Sequence, residues 1–213
     1  MRSSRRRTAQ FAAAMALLLL CPSGDAVAKK KGPYTVVPAV SGTKITAGTE
    51  VVEIKRGGLT AEVSYVAGIA RRRMMQATLG IDGDPFATPS GDEVRFHTFL
   101  VYFRNDSTSP LMFNPSVSRI RTNRELHAYA LDYSYLYQVL GQEEKLSMDD
   151  VHKIAFDQTL TLNPGEKAKK LLVFQSIPGT WKEFILLISL EKNGVKAVDL
   201  SIPFRKVYLE EGD

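Results

Sequence analysis

The chain has 213 residues, of which 44% are hydrophobic, 24% charged and 9% aromatic, with 15 glycines, 10 prolines and a single cysteine. That apolar content is too high for a disordered chain, glycine is too sparse for a collagen-like repeat, and one cysteine makes no disulfide framework. The 28 basic and 23 acidic residues give a net charge of +5, and the length predicts about one domain built on one hydrophobic core.

The charge is unevenly placed. Arg2, Arg5, Arg6 and Arg7 precede an uncharged stretch from Phe11 to Leu20, and Ala26 and Ala28 flank Val27 shortly afterwards. A basic start, an apolar run and a small-residue cleavage site are the three parts of a secretory signal peptide. Residues 1–28 are therefore predicted as a leader cut after Ala28, delivering the chain to the periplasm or beyond. The apolar run falls well short of the roughly 20 residues that cross a hydrocarbon core, so no transmembrane segment is predicted there, and no later stretch is long enough. Leu18, Leu19, Leu20 and Cys21 approach the lipobox of acylated lipoproteins, with Leu20 where Gly, Ala or Ser belongs. Ser4 to Arg7 approach a twin-arginine start that lacks its following Phe-Leu pair. Removing the four arginines and Asp25 leaves 24 basic and 22 acidic residues, a charge of +2. The basic balance thus marks targeting and not a nucleic-acid partner, and a chain without Cys21 holds no thiol for a disulfide, a nucleophile or a metal.

Residues 29–48 are polar and punctuated by Gly and Pro, with one apolar piece at Tyr34 to Val37; they read as a tether or an edge strand ahead of a single domain at 49–213. From Thr49 the period is two, through Val51 to Lys55 and, after Gly57 and Gly58, through Leu59 to Tyr65, which predicts two strands. Arg71 to Glu93 carries Gly80, Gly83, Pro85, Pro89 and Gly91 and reads as a long connection. Val94 to Phe103 alternates again and turns apolar on both faces toward its end, as a central strand of a packed sheet does. Asn105 to Pro110 is a turn, and Val117 to Arg121 a short strand. At Asp132 the period changes: Tyr133, Leu136, Tyr137 and Leu140 recur at helical spacing, with Asp132 as N-cap and Gly141 as stop, and Ser147 and Asp150 cap a second short helix. Tyr133 and Tyr137 are expected on the buried face, with Tyr135 pointing elsewhere. Strands resume at Thr159 to Leu162, Leu171 to Phe174, Phe184 to Leu190 and Val195 to Phe204, joined by turns at Asn163 to Glu166 and Asn193-Gly194, the latter a type I′ signal. Seven to nine short strands without βαβ alternation predict an all-β fold, an antiparallel immunoglobulin-like β-sandwich with one or two short helical inserts at about 125–157.

Two motifs extend that reading. A strand ends in Phe103, Arg104, Asn105, Asp106 and Ser107 and is followed by Phe113, Asn114 and Pro115; later Leu162, Asn163, Pro164, Gly165 and Glu166 lead into Leu172, Val173 and Phe174. The stretch from His97 to Phe174 resembles the immunoglobulin-like accessory domains of secreted and envelope proteins in bacteria. The resemblance implies the fold and an extracytoplasmic setting, and it carries over no catalytic residue.

Chemistry-bearing residues are scattered. His97, His127 and His152 have no metal-ligand spacing, and Met74, Met75, Met112 and Met148 form a soft-ligand set only if a histidine joins them. Asp82, Asp84, Asp92 and Glu93 share one loop but lack the later glutamate of a calcium loop, and no serine elbow is present. No catalytic, cofactor or metal residue is assigned. Arg71, Arg72 and Arg73 form the sharpest charge run and read as a solvated loop or an anionic contact; Tyr129 and Tyr135 are the tyrosines expected to meet a partner. The leading expectation is an exported, non-catalytic module that binds a protein or cell-envelope component through residues 125–157. The alternatives are a periplasmic metal carrier or hydrolase using His97, Asp157 and loop carboxylates, and a chaperone-like module with an open sheet edge.

Overall fold

A computed structural model describes residues 34–40, 44–46, 49–87, 96–141, 147–177 and 181–208. The leader read over 1–28, with Cys21, lies outside them, as do Asp92 and Glu93. The chain divides into Met1–Gly32 and Pro33–Asp213, and the described residues all belong to the second unit.

Among the described residues there are twelve strands. The first six are β1 (Tyr34–Pro38), β2 (Lys44–Thr46), β3 (Thr49–Arg56), β4 (Leu59–Tyr65), β5 (Phe96–Asn105) and β6 (Leu111–Phe113). The rest are β7 (Arg119–Thr122), β8 (His127–Tyr129), β9 (Leu160–Leu162), β10 (Lys167–Gln175), β11 (Glu183–Lys192) and β12 (Val195–Tyr208). Helices α1 (Gly68–Leu79), α2 (Tyr133–Leu136) and α3 (Met148–Ile154) lie between them. All strands pair antiparallel, in a seven-stranded sheet of order β1-β12-β11-β6-β9 with β7 joining β11 and β8, and a five-stranded sheet of order β10-β5-β4-β3-β2. The fold is all-β in its framework.

Turn chemistry explains the hairpins. Asn193 and Gly194 both take positive φ, 52° and 73°, and join Lys192 to Val195 across a two-residue loop, as a type I′ turn requires. Gly57 and Gly58, at 58° and 76°, do the same between Arg56 and Leu59.

The two sheets share a core. Alternate residues of β5 (Phe99, Val101, Phe103) meet those of β11 (Phe184, Leu186, Ile188) and β12 (Leu200, Ile202, Phe204); Phe99 lies edge-on to Phe204 at 5.1 Å and to Phe184 at 6.0 Å. Each such side chain contributes about 1.5–3 kcal/mol on burial. A second apolar cluster occupies the opposite face of β5 and β10, where Phe96, Leu171 and Val173 pack beneath Met75 of α1, Leu136 of α2 and Val151 and Ile154 of α3. The both-sided apolarity of β5 therefore reflects a sheet covered by its partner on one face and by helices on the other. Two apolar clusters replace the single core expected from length.

Two further expectations are corrected. The segment read as a connection from Arg71 begins as a twelve-residue helix, α1, ended by Gly80 at φ 72°. Its buried positions are Arg71 and Met75, one turn apart, so it offers no apolar stripe to a sequence reading. Tyr133 and Tyr137, expected on a buried face, are exposed, and Leu136 and Leu140 are the buried pair. The caps form as predicted: Asp132 accepts from the Tyr135 amide and Ser147 from that of Asp150. After one turn α2 passes into a π-helical turn over Tyr137–Gly141, and Leu136 and Leu140, four residues apart, make the apolar contact.

Candidate functional site

The arginine run splits. Arg72 and Arg73 are exposed, whereas Arg71 is buried and its donors are taken inside the protein. Its Nε lies 2.7 and 2.8 Å from the two Asp84 oxygens, one terminal nitrogen donates to Thr98 Oγ1 at 2.9 Å, and the other to the Phe86 carbonyl at 2.8 Å. Thr98 in turn donates to the Val66 carbonyl, and Phe86 lies under the guanidinium with its ring 5.7 Å away. A charge expected at the surface is instead the pin that fixes α1, the loop after it and β5 to one another. A cavity of about 340 Å³ opens beside it, bounded by Tyr34, Tyr65, Ile69, Arg72 and Phe96.

Behind Tyr65 lies His97, 0% exposed. Its Nδ1 is 3.4 Å from the Tyr65 hydroxyl, and its ring stands edge-on to Trp181 at 5.4 Å and tilted against Phe184 at 6.0 Å. Nε2 has no hydrogen-bond partner among the described residues and faces an aromatic surround. Burial, aided by the Lys206 charge, lowers the imidazole to about 4, so the ring is neutral near pH 7. Burial also holds the Tyr65 hydroxyl well above its ordinary value. The Lys206 ammonium sits over Trp181 and Tyr34, 4.0 and 4.2 Å from the ring centres. His97 is a packing residue of the main core.

The other histidines do meet carboxylates. His152 Nδ1 lies 3.0 and 3.2 Å from the two oxygens of buried Asp157, and His127 lies 4.0 Å from Glu125. These are pairs and not ligand sets: among the described residues no three of His, Cys, Asp and Glu gather as a metal site. Asp157 is thus engaged with His152 and Asp84 with Arg71, while His97 is enclosed by aromatic rings, so the three are not assembled together. Of the methionines, Met75 is buried in the second cluster and Met74 packs against it; Met112 lies on β6.

The tyrosines stand out. Tyr129 on β8, Tyr135 on α2 and their neighbours Tyr133 and Tyr137 are 55%, 47%, 38% and 52% exposed, in a stretch held from beneath by Leu131, Leu136 and Leu140. Nearby, the edge of β10 is occupied: Leu131 and Phe156 donate their amides to the Val173 and Leu171 carbonyls, both at 2.8 Å. Thr98 and Phe86 are the residues of the Arg71 cluster that the sequence does not single out, and Asp84, read as a loop carboxylate, is the counter-charge of Arg71. Only the unusual absence of an apolar stripe around Arg71 hints at a buried charge needing partners.

No protein-family model matches the chain, and no curated protein matches it.

Proposed function

We propose that the protein is an exported, non-catalytic binding module of the periplasm or cell exterior, released from its leader after Ala28, whose two sheets form an immunoglobulin-like sandwich. It engages a protein or cell-envelope component through residues 125–157. The observation that carries this reading is the exposure of four tyrosines on a stretch anchored by buried leucines. Tyrosine combines a large apolar ring with a polar tip and loses few rotamers on contact, which is why it is enriched where partners bind. The occupied edge of β10 gives an edge-pairing chaperone less support.

The reading is tested in cells by placing a photo-crosslinking aromatic residue at Tyr135 or at Tyr137. A discrete crosslinked product in the envelope fraction, lost when the other tyrosines are changed to serine, is expected. A full-length leader on cytosolic material, or equal crosslinking from a remote exposed site such as Val195, overturns it.

A further inference from the structure

The outer face of the seven-stranded sheet carries a second surface, of different chemistry. On β7, Ile120 and Thr122 are buried, so Arg119 and Arg121 stand on the side away from the core, about 6.8 Å apart as next-but-one strand residues are. The register continues each across the sheet: Arg119 lies opposite Leu187, which faces Ser201, and Arg121 opposite Ile185, which faces Pro203. Two shallow cavities follow these rows, one of about 310 Å³ bounded by Arg119, Leu187 and Ser201, the other of about 240 Å³ bounded by Arg121, Ile185 and Pro203. The same composition thus occurs twice, a guanidinium beside a half-buried aliphatic side chain. Neither guanidinium has a hydrogen-bond or ion-pair partner among the described residues, whereas the nearby Asp199 is held by Lys196 and Ser189. Arginine beside apolar surface is the composition of interface centres.

We propose that this face binds an extended acidic segment of a partner protein, lying along β7 with carboxylates at every second residue. Same-face side chains of an extended chain recur at the spacing that separates Arg119 from Arg121, and each guanidinium offers a carboxylate a forked pair of donors. Glu125 and Glu183 beside Arg121, and Glu191 and Asp199 beside Arg119, oppose a continuous anionic surface such as lipid headgroups and leave room only for carboxylates spaced to meet the two guanidinium groups. The proposal goes beyond the tyrosine contact, which it adjoins where Tyr129 and His127 of β8 lie opposite Arg119 and Arg121, and it rests on the arginines and not on the tyrosines of α2.

The test uses the purified protein and a fluorescent ten-residue peptide of alternating glutamate and threonine, against a block peptide of the same composition and an alternating glutamine-threonine peptide. Tighter binding of the alternating acidic peptide is expected, weakened about fivefold or more by Arg119→Ser or Arg121→Ser and by added salt, in variants whose thermal midpoints match the parent. Absence of binding, equal binding of the block peptide, or indifference to both substitutions overturns it. So does arginine-dependent binding to phosphatidylglycerol vesicles without peptide binding. Tyr135→Ser is expected to leave peptide binding unchanged, which separates this outcome from the crosslinking result.

Discussion

The side-chain amide of Asn105, at the end of β5, donates to the carbonyl of Leu162, at the end of β9, across 2.8 Å. The same nitrogen donates to Ser109 O at 2.8 Å, and its oxygen accepts from the Ser107 amide and hydroxyl at 2.9 and 2.7 Å. Its backbone carbonyl accepts from Gly165 and its amide donates to Glu166 O. One buried residue thus ties the turn after β5 to the turn before β10, and so joins one sheet to the other.

Asn105→Ala is expected to cost about 2–4 kcal/mol, because several buried partners lose their bonds together. Asn105→Asp should be at least as damaging, since it turns a carboxylate oxygen toward two carbonyls. Urea denaturation reads this as a lower midpoint with an unchanged slope; a loss below about 1 kcal/mol for the alanine variant contradicts the bridging role.

These two turns are where the sequence was most informative. The turns at Asn105 to Ser107, Asn163 to Glu166 and Asn193-Gly194 and the caps Asp132 and Ser147 are each closed by bonds within a few residues, so a short window contains their cause, while the reach of Asn105 to Leu162 lies outside any such window. The features that escaped it have distant causes. Arg71 finds Asp84 thirteen residues on and Thr98 twenty-seven residues on, with no periodic signal to mark either. Tyr133 and Tyr137 share the helical spacing of Leu136 and Leu140, and which of the two pairs is buried depends on what packs beneath them; the second apolar cluster is legible only as the two-sided apolarity of β5, which does not say that helices cover one face. Among the site residues, Tyr135 is set apart from Tyr133 and Tyr137 by helical spacing alone, whereas Tyr129 lies on β8, a strand the sequence does not announce, and the cross-sheet alignment of Arg119 with Leu187 depends on register, which no single segment encodes.

The Arg71–Asp84 pair, with side chains 5% and 4% exposed, should be strongly non-additive to mutation. Asp84→Asn leaves a guanidinium buried without its counter-charge, and Arg71→Met leaves a buried carboxylate, so each is expected to cost about 3–5 kcal/mol. The double variant Arg71→Met with Asp84→Asn should cost clearly less than the two losses added together. Chemical denaturation of the four proteins in a double-mutant cycle checks this, and strict additivity rules out the pairing as the origin of the loss.

Glycine substitutions separate backbone strain from crowding. Gly58 and Gly194 have nearly the same φ, 76° and 73°, but a Cβ on Gly58 would stand 2.6 Å from Ser107 Cβ while one on Gly194 meets nothing within 4 Å. Gly194→Ala is expected to cost about 1 kcal/mol from left-handed strain alone. Gly58→Ala should cost more, since the β3–β4 hairpin must also move away from the turn after β5. Equal melting-temperature losses in the two variants argue against that close approach.

The acid limb of stability should belong to His97. Its folded value of about 4 lies below the ordinary 6.5, so between those two pH values the unfolded chain binds a proton that the folded chain refuses. Stability is therefore fully present above about pH 6.5 and falls as pH drops toward 4, by about 3 kcal/mol in all. The carboxyls of Asp106, Asp150, Glu166 and Asp199 are each held below their ordinary range by hydrogen bonds, so their contributions disappear at lower pH still. On the alkaline side, the raised Tyr65 hydroxyl predicts a second loss once pH exceeds about 10, where the unfolded phenol ionises first. Replacing the imidazole by a ring that cannot charge, in His97→Phe, should flatten the profile between pH 6.5 and 4 whatever its effect at pH 7. Guanidinium midpoints measured across that window for the parent and the variant decide the matter, and parallel slopes would assign the acid limb to other groups.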